Sequence, residues 1–177
     1  MTYVCTDYKL AYLFFLLGLA GVPVYAAPVN IGAGETKRLS DIYGSGSGQM
    51  VNLQDLLFNG ALASPATLVV DGSGTNWLFD GAGTNINRLD TASSENTVIS
   101  VEDGATFTIQ NVYKTSGNGA ALYTDGEISF KGENGTVIFN SNTATTGGAA
   151  IYSNGKNINF EGNVTLNDNH AINTASG

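Results

Sequence analysis

Two short segments, Asn118-Gly-Ala-Ala-Leu-Tyr123 and Gly147-Gly-Ala-Ala-Ile-Tyr152, recur about 29 residues apart, and this recurrence limits the possible fold more than anything else in the chain. Each is followed by a turn dipeptide, Asp125-Gly126 or Asn154-Gly155. A strand-like run comes next in both copies: Ile128-Ser-Phe130 before Lys131-Gly132, and Ile158-Asn-Phe160 before Glu161-Gly162. A second run follows, Val137-Ile-Phe139 or Val164-Thr-Leu166. These lead into Asn140-Ser-Asn142-Thr-Ala144 and Asn167-Asp-Asn169-His-Ala171. A fainter copy lies upstream, with Val98-Ile-Ser-Val101, the acidic turn Glu102-Asp103-Gly104 and Phe107-Thr-Ile109. Thr67-Leu-Val-Val70 and Trp77-Leu-Phe79 have the form of a less regular coil before it.

Within each run apolar and polar residues alternate, as in Ile128/Phe130 and Val137/Phe139, so one face is buried and the other solvated. A repeat of three short strands cannot bury its own apolar face, but stacking successive repeats about 4.8 Å apart does so. The fold expected is therefore all-β: a right-handed parallel β-helix, a solenoid of about 30 residues per coil, with Phe, Ile, Val and Leu in interior columns. Ala149-Ala150 beside the glycine pair fits a tight corner. Asn140 with Asn167, and Asn142 with Asn169, stand where asparagine ladders form. A β-sandwich is the structural alternative, although it gives no reason for the turn residues to repeat along with the strands. Leu53 to Leu62 reads as a short helical turn or part of an N-terminal cap. The expected organisation is a leader over 1–26, a cap or irregular first coil over 27–66, and coils over 67–177.

The leader has its own physical signature. Leu10 to Val22 is an uninterrupted apolar run ended by Pro23, with Lys9 before it and Val24-Tyr25-Ala26 after it. This layout is that of a secretory signal cleaved between Ala26 and Ala27. The run is too short for the roughly 20 residues of a membrane-spanning helix. Loss of residues 1–26 removes one base, Lys9, and one acid, Asp7, and so leaves the net charge at -8. It also removes Cys5, the only cysteine, which leaves no disulfide framework or thiolate metal site and suits passage through the periplasm unfolded. Charged residues make up 12% of the chain and apolar ones 42%, a balance that argues against disorder. With an acidic balance and no basic stripe, nucleic acid is not an expected partner.

The turn and strand residues also resemble a known family. Phe139-Asn-Ser-Asn142 and Phe160-Glu-Gly-Asn163 fit F-x-x-N, and Gly147-Gly148-Ala149 fits a companion G-G-A motif. Alternation of these motifs resembles the polymorphic outer membrane protein repeat of autotransporter passenger domains. Two departures are an additional Ala in Gly-Gly-Ala-Ala-Ile-Tyr and Asn118-Gly119 in place of Gly-Gly in the earlier copy. The resemblance covers roughly residues 98–177. It implies a non-enzymatic, adhesin-like passenger at the surface of a Gram-negative bacterium. The partners implied are the Sec export machinery and ligands on host or bacterial cells. Such passengers are carried by a C-terminal β-barrel, whose strands of alternating apolarity are not found here. The sequence stops mid-repeat at Thr174-Ala-Ser-Gly177. The expectation is a truncated passenger, periplasmic if it has no translocator, whose uncapped last coil invites self-association.

Residues of catalytic type are sparse. His170, the sole histidine, sits at a turn beside Asn169, where it reads as a solvated loop residue. No nucleophile elbow, phosphate-binding loop, zinc spacing or dinucleotide fingerprint is present, and no cofactor is expected. Asp71, Asp80, Arg88 and Asp90 form the nearest acid-and-base set. They motivate the alternative of a secreted β-helix lyase or hydrolase, against their plainer reading as turn and surface residues. Asp71-Gly-Ser-Gly-Thr-Asn76 is echoed by Asp80-Gly-Ala-Gly-Thr-Asn85, an imperfect likeness of the calcium-binding nonapeptide. Two such turns supply few of the six to eight oxygens that Ca²⁺ takes, so they read as tight turns between strands.

Overall fold

The computed structural model describes residues 28–44, 51–53, 56–83, 89–91 and 95–172. The leader and its cleavage site at Ala26 and Ala27 lie outside these residues, as do Arg88, Asn85 and the last five positions. The described chain is nearly all β and winds into a parallel solenoid of about four turns, about 30 residues apart. Its strands are β1 (Val29–Gly32), β2 (Thr36–Arg38), β3 (Leu56–Asn59), β4 (Ala66–Val70), β5 (Asn76–Asp80), β6 (Leu89–Thr91), β7 (Asn96–Val101) and β8 (Thr106–Gln110). They continue with β9 (Tyr113–Lys114), β10 (Leu122–Thr124), β11 (Glu127–Asn140), β12 (Thr143–Ala144), β13 (Ile151–Ser153), β14 (Ile158–Asn167) and β15 (His170–Ala171). One short helix, α1 (Leu39–Tyr43), follows β2.

Every pairing between named strands is parallel, and each strand lies against its counterpart one coil away. The two strand-like runs of the clearest repeat are fused in β11, which belongs to two ladders. Its first half continues β2, β4 and β7, and its second half continues β5 and β8. Both halves then pair with β14, across a register shift between Gly132 and Thr136. Two further ladders complete the coil, β6–β10–β13 and β9–β12–β15. Each coil thus has four ladder positions, one more than the alternation in the sequence indicates. The additional ladder is built of two-residue strands too short to leave a periodic signal.

Parallel register stacks like on like, and the interior columns follow from it. Leu68, Ile99, Phe130 and Phe160 form one column, and Phe79, Ile109, Phe139 and Leu166 another. Phe130 stacks on Phe160 at 5.6 Å and meets Phe139 edge-on at 5.9 Å. Trp77, Phe107, Phe130 and Phe139 are the largest fully buried side chains. Each contributes about 1.5–3 kcal/mol through burial alone. The corner inside β11 depends on glycine: a Cβ on Gly132, whose φ is +131°, would stand 2.1 Å from the Val101 carbonyl oxygen.

At the N-terminal end the structure departs from expectation. Part of the Leu53–Leu62 stretch is strand β3, paired with β1, and not a helical turn. The helix falls earlier, at α1, whose five residues place Leu39, Ile42 and Tyr43 at helical spacing but are too short a run to announce a helix. Leu39 of α1 is fully buried. The ladder also reaches further back than the repeat does, because Thr36-Lys37-Arg38 pairs with Thr67-Leu68-Val69.

Candidate functional site

The residues that carry the repeat motif gather at two corners of the coil. At the first, Phe139 ends an inward-facing run and Asn142 turns inward after it; both are fully buried. Ser141 lies between Phe139 and Asn142, with φ near +54°, and Asn111 and Asp168 adopt the same left-handed conformation in neighbouring coils. Asn, Ser and Asp are residue types that tolerate this region at a turn.

Buried amides need partners, and Asn142 has them on both sides. Its Nδ2 donates to the Ile109 carbonyl at 3.0 Å and to Asn169 Oδ1 at 2.9 Å, while its Oδ1 accepts from the Val112 amide at 3.1 Å. Asn169 repeats the pattern one coil on, donating to the Phe139 carbonyl at 2.9 Å and accepting from the Asn142 amide at 3.1 Å. The asparagine ladder therefore runs through Asn142 and Asn169. Asn140 and Asn167 are in register, and their carbonyls accept from the Asn111 and Ser141 amides.

The two F-x-x-N matches are not equivalent in space. Phe160 pairs with Phe130, and Asn163 with Thr136, so Phe160-Glu-Gly-Asn163 lies one strand earlier in its coil than Phe139-Asn-Ser-Asn142. Asn163 is exposed and donates to the Glu133 carbonyl at 3.2 Å. The true counterpart of Phe139–Asn142 is Leu166–Asn169, in which Leu replaces Phe.

The second corner holds Gly147, Gly148 and Ala149. Gly148 has φ +63°, and a Cβ there would sit 2.4 Å from the Ile151 carbonyl oxygen. Gly119 has the same role one coil earlier. Asn118, the departure from Gly-Gly in that copy, accepts a hydrogen bond from the Gly147 amide at its Oδ1, 3.0 Å away. Ala120 and Ala121 are fully buried and Ala149 nearly so; their backbones join coil to coil, as in Ala121 N–H to the Ala149 carbonyl at 3.2 Å. Outside this corner the Tyr123 and Tyr152 rings stack at 5.6 Å, and Asp125 accepts from Tyr123 Oη and Asn154 Nδ2.

The acidic candidates Asp71, Asp80 and Asp90 fall on or just after three different strands, β4, β5 and β6. Asp71, at the end of β4, accepts hydrogen bonds from the Ser40 amide at 3.0 Å and the Ser40 hydroxyl, and lies 3.6 Å from Arg38. Burial raises its carboxyl pKa, but the Ser40 hydrogen bonds and the Arg38 charge outweigh burial and hold it below the ordinary value. Asp80, at the end of β5, is lowered by hydrogen bonds from Gln110 at 2.7 Å, from the Ala82 amide at 2.8 Å and from Asn111. Asp90 lies on β6, in register with Tyr123. Both echo segments form turns with left-handed residues, at Gly72 and Gly74 and at Ala82 and Gly83. Among the described residues no three His, Cys, Asp or Glu side chains are close enough to hold a metal ion. His170 is exposed on β15, in register with Thr143.

The last described coil is open. Phe160 and Leu166 continue the columns of Phe130 and Phe139 yet are 48% and 56% exposed. Beside them lies a groove of about 440 Å³ lined in part by Ala149, Ile151, Leu166 and Asn169. These features are structural: a ladder, two corners and an apolar end. No helix among the described residues is long and apolar enough to cross a membrane.

Fold and corners define a parallel β-solenoid protein whose coils are keyed by asparagine and glycine–alanine positions. A segment of 71 residues is 44% identical to part of the probable outer membrane protein pmp6 of Chlamydia pneumoniae. The match covers 40% of this chain and 5% of that protein's length. No family model matches the chain. No solved structure matches it either.

Proposed function

We propose that the chain is a surface-displayed, adhesin-like and non-enzymatic passenger segment of an autotransporter-type protein of a Gram-negative bacterium. The observation that carries this reading is the segment shared with an outer membrane protein, set in a parallel solenoid. Such a scaffold presents long, regular outer faces while its interior is committed to packing. The motif residues Phe139, Asn142, Gly148 and Ala149 act as scaffold, leaving recognition to outward positions. The stacked Tyr123 and Tyr152, with Asp125 and Asn154 beside them, are one such face. Asp71 and Asp80 serve as turn anchors here, not as an acid and base pair.

Labelled protein recovered from the 177-residue chain, titrated onto intact epithelial and bacterial cells, tests the reading. Saturable binding that unlabelled protein displaces is the expected result. Absence of saturable binding to both, or cleavage of a polysaccharide that Asp80→Ala abolishes, overturns it.

A further inference from the structure

Four Asn-Gly pairs occur in the chain: Asn59-Gly60, Asn118-Gly119, Asn134-Gly135 and Asn154-Gly155. Such a pair is open to attack on the asparagine side chain by the next backbone nitrogen, because glycine has no Cβ to shield that nitrogen. Attack also needs freedom to bend the backbone and an amide nitrogen that is not already engaged.

Three of the pairs are locked by the fold. Asn59 ends β3 and its Nδ2 donates to Asn30 Oδ1, while a Cβ on buried Gly60 would stand 2.2 Å from the Asn96 carbonyl oxygen. The buried Gly119 amide donates to the Gly147 carbonyl at 2.9 Å, and Asn118 Oδ1 accepts from the Gly147 amide. Asn134-Gly135 lies inside β11, where a Cβ on buried Gly135 would stand 2.5 Å from the Val101 carbonyl oxygen.

Asn154-Gly155 is held differently. It lies in the turn between β13 and β14, and residues 154–157 are all exposed. One coil earlier, three residues (125–127) separate Thr124 from Ile128; here four (154–157) separate their partners Ser153 and Ile158. The longer turn carries its tip outward. Gly155 has φ +73°, and a Cβ there would meet nothing within 4 Å. Among the described residues its amide has no acceptor, whereas buried Gly126 in the turn beneath donates to Thr91 Oγ1 at 3.3 Å. The side chain of Asn154 is steadied by one bond, from Nδ2 to Asp125 Oδ1 at 2.7 Å, and that nitrogen is the one the reaction releases.

We propose that Asn154-Gly155 is a site of spontaneous covalent modification, at which the amide becomes a carboxylate through a cyclic imide. The Gly155 nitrogen gives its proton to solvent base and bonds to Asn154 Cγ. The bond from Cγ to Nδ2 breaks, and Nδ2 takes a proton from water and leaves as ammonia. Water then opens the ring. Cleavage between the Gly155 nitrogen and Cγ gives aspartate; cleavage between that nitrogen and the Asn154 main-chain carbonyl carbon gives isoaspartate. One water is consumed and one ammonia released, with no oxidant or reductant. Either product sets a second carboxylate against Asp125, which loses the Nδ2 donor and keeps that of Tyr123 Oη. The face of Tyr123 and Tyr152 therefore gains negative charge with age, and the chemistry does not rest on what that face binds.

The test ages protein recovered from the 177-residue chain in mildly alkaline buffer and locates amide-to-acid conversion by tandem mass spectrometry. Asn154 should convert tenfold or more faster than Asn59, Asn118 or Asn134, with isoaspartate among its products and ammonia released in step. In denaturant, where all four pairs share the same flexible neighbour, the four rates should converge to within threefold. Gly155→Ala should slow conversion at Asn154 at least tenfold, with circular dichroism showing that the β signal persists. The ranking in the unaltered protein decides the matter even if that variant misfolds. A lead of Asn154 under threefold in the folded protein, or one that persists undiminished in denaturant, overturns the proposal.

Discussion

Asn142 shows how one residue fixes the stacking of three coils. Its side chain is fully buried and satisfies the Ile109 carbonyl, the Val112 amide and Asn169. Removal of one partner from a buried hydrogen bond costs about 1–3 kcal/mol for each group left behind. Asn142→Ala should therefore lower the unfolding free energy by about 2–4 kcal/mol in chemical denaturation. A loss under about 0.5 kcal/mol, the size typical of surface substitutions, would mean that the ladder is decoration. Sequence reading placed Asn142 and Asn169 correctly because they recur with the strands. Phe160–Asn163 fits the same four-residue pattern as Phe139–Asn142 yet lies on the preceding ladder, because so short a pattern carries no register. The side chain under Asn142 is Val112, which the pattern does not mark, so the ladder has an end that the motif cannot show.

Among elements, the N-terminal cap is held by charge and the coils by packing. Alternation made β7, β8 and both halves of β11 legible. β9, β12 and β15 were not, since two residues have no period. Helix α1 was illegible for another reason: its first-turn amide and hydroxyl partner, Asp71, lies in the next coil and not beside it in sequence. That arrangement makes the cap sensitive to acid. Asp71 and Asp80 both have folded pKa values below the ordinary carboxyl value. Their contribution is complete above the unfolded value of about 4 and is lost as pH falls through the lower folded values. Thermal unfolding should be unchanged between neutral pH and about pH 5 and fall below about pH 4. In Asp71→Asn the fall should be smaller and hydrogen exchange in α1 faster already at neutral pH. An equal fall in the variant would remove Asp71 from the account.

For the whole molecule, the central claim is that coils about 30 residues apart lie directly on one another in parallel register. Repeat spacing and alternation made this legible, while the first turn of the ladder was not: Lys37 falls in register with Leu68, which only the fold reveals. The same register brings Tyr123 beside Tyr152, with rings 5.6 Å apart. Neighbouring strands lie about 4.8 Å apart, within the Cα range that a disulfide spans. The most direct test replaces Cys5 by Ser and introduces Tyr123→Cys with Tyr152→Cys, against Tyr123→Cys with His170→Cys as the pair from different ladders. Mild oxidation followed by mass spectrometry should show near-complete intramolecular bonding of the first pair and little of the second. Equal bonding in both pairs, or none in the first while the β signal persists, would contradict the stacked solenoid.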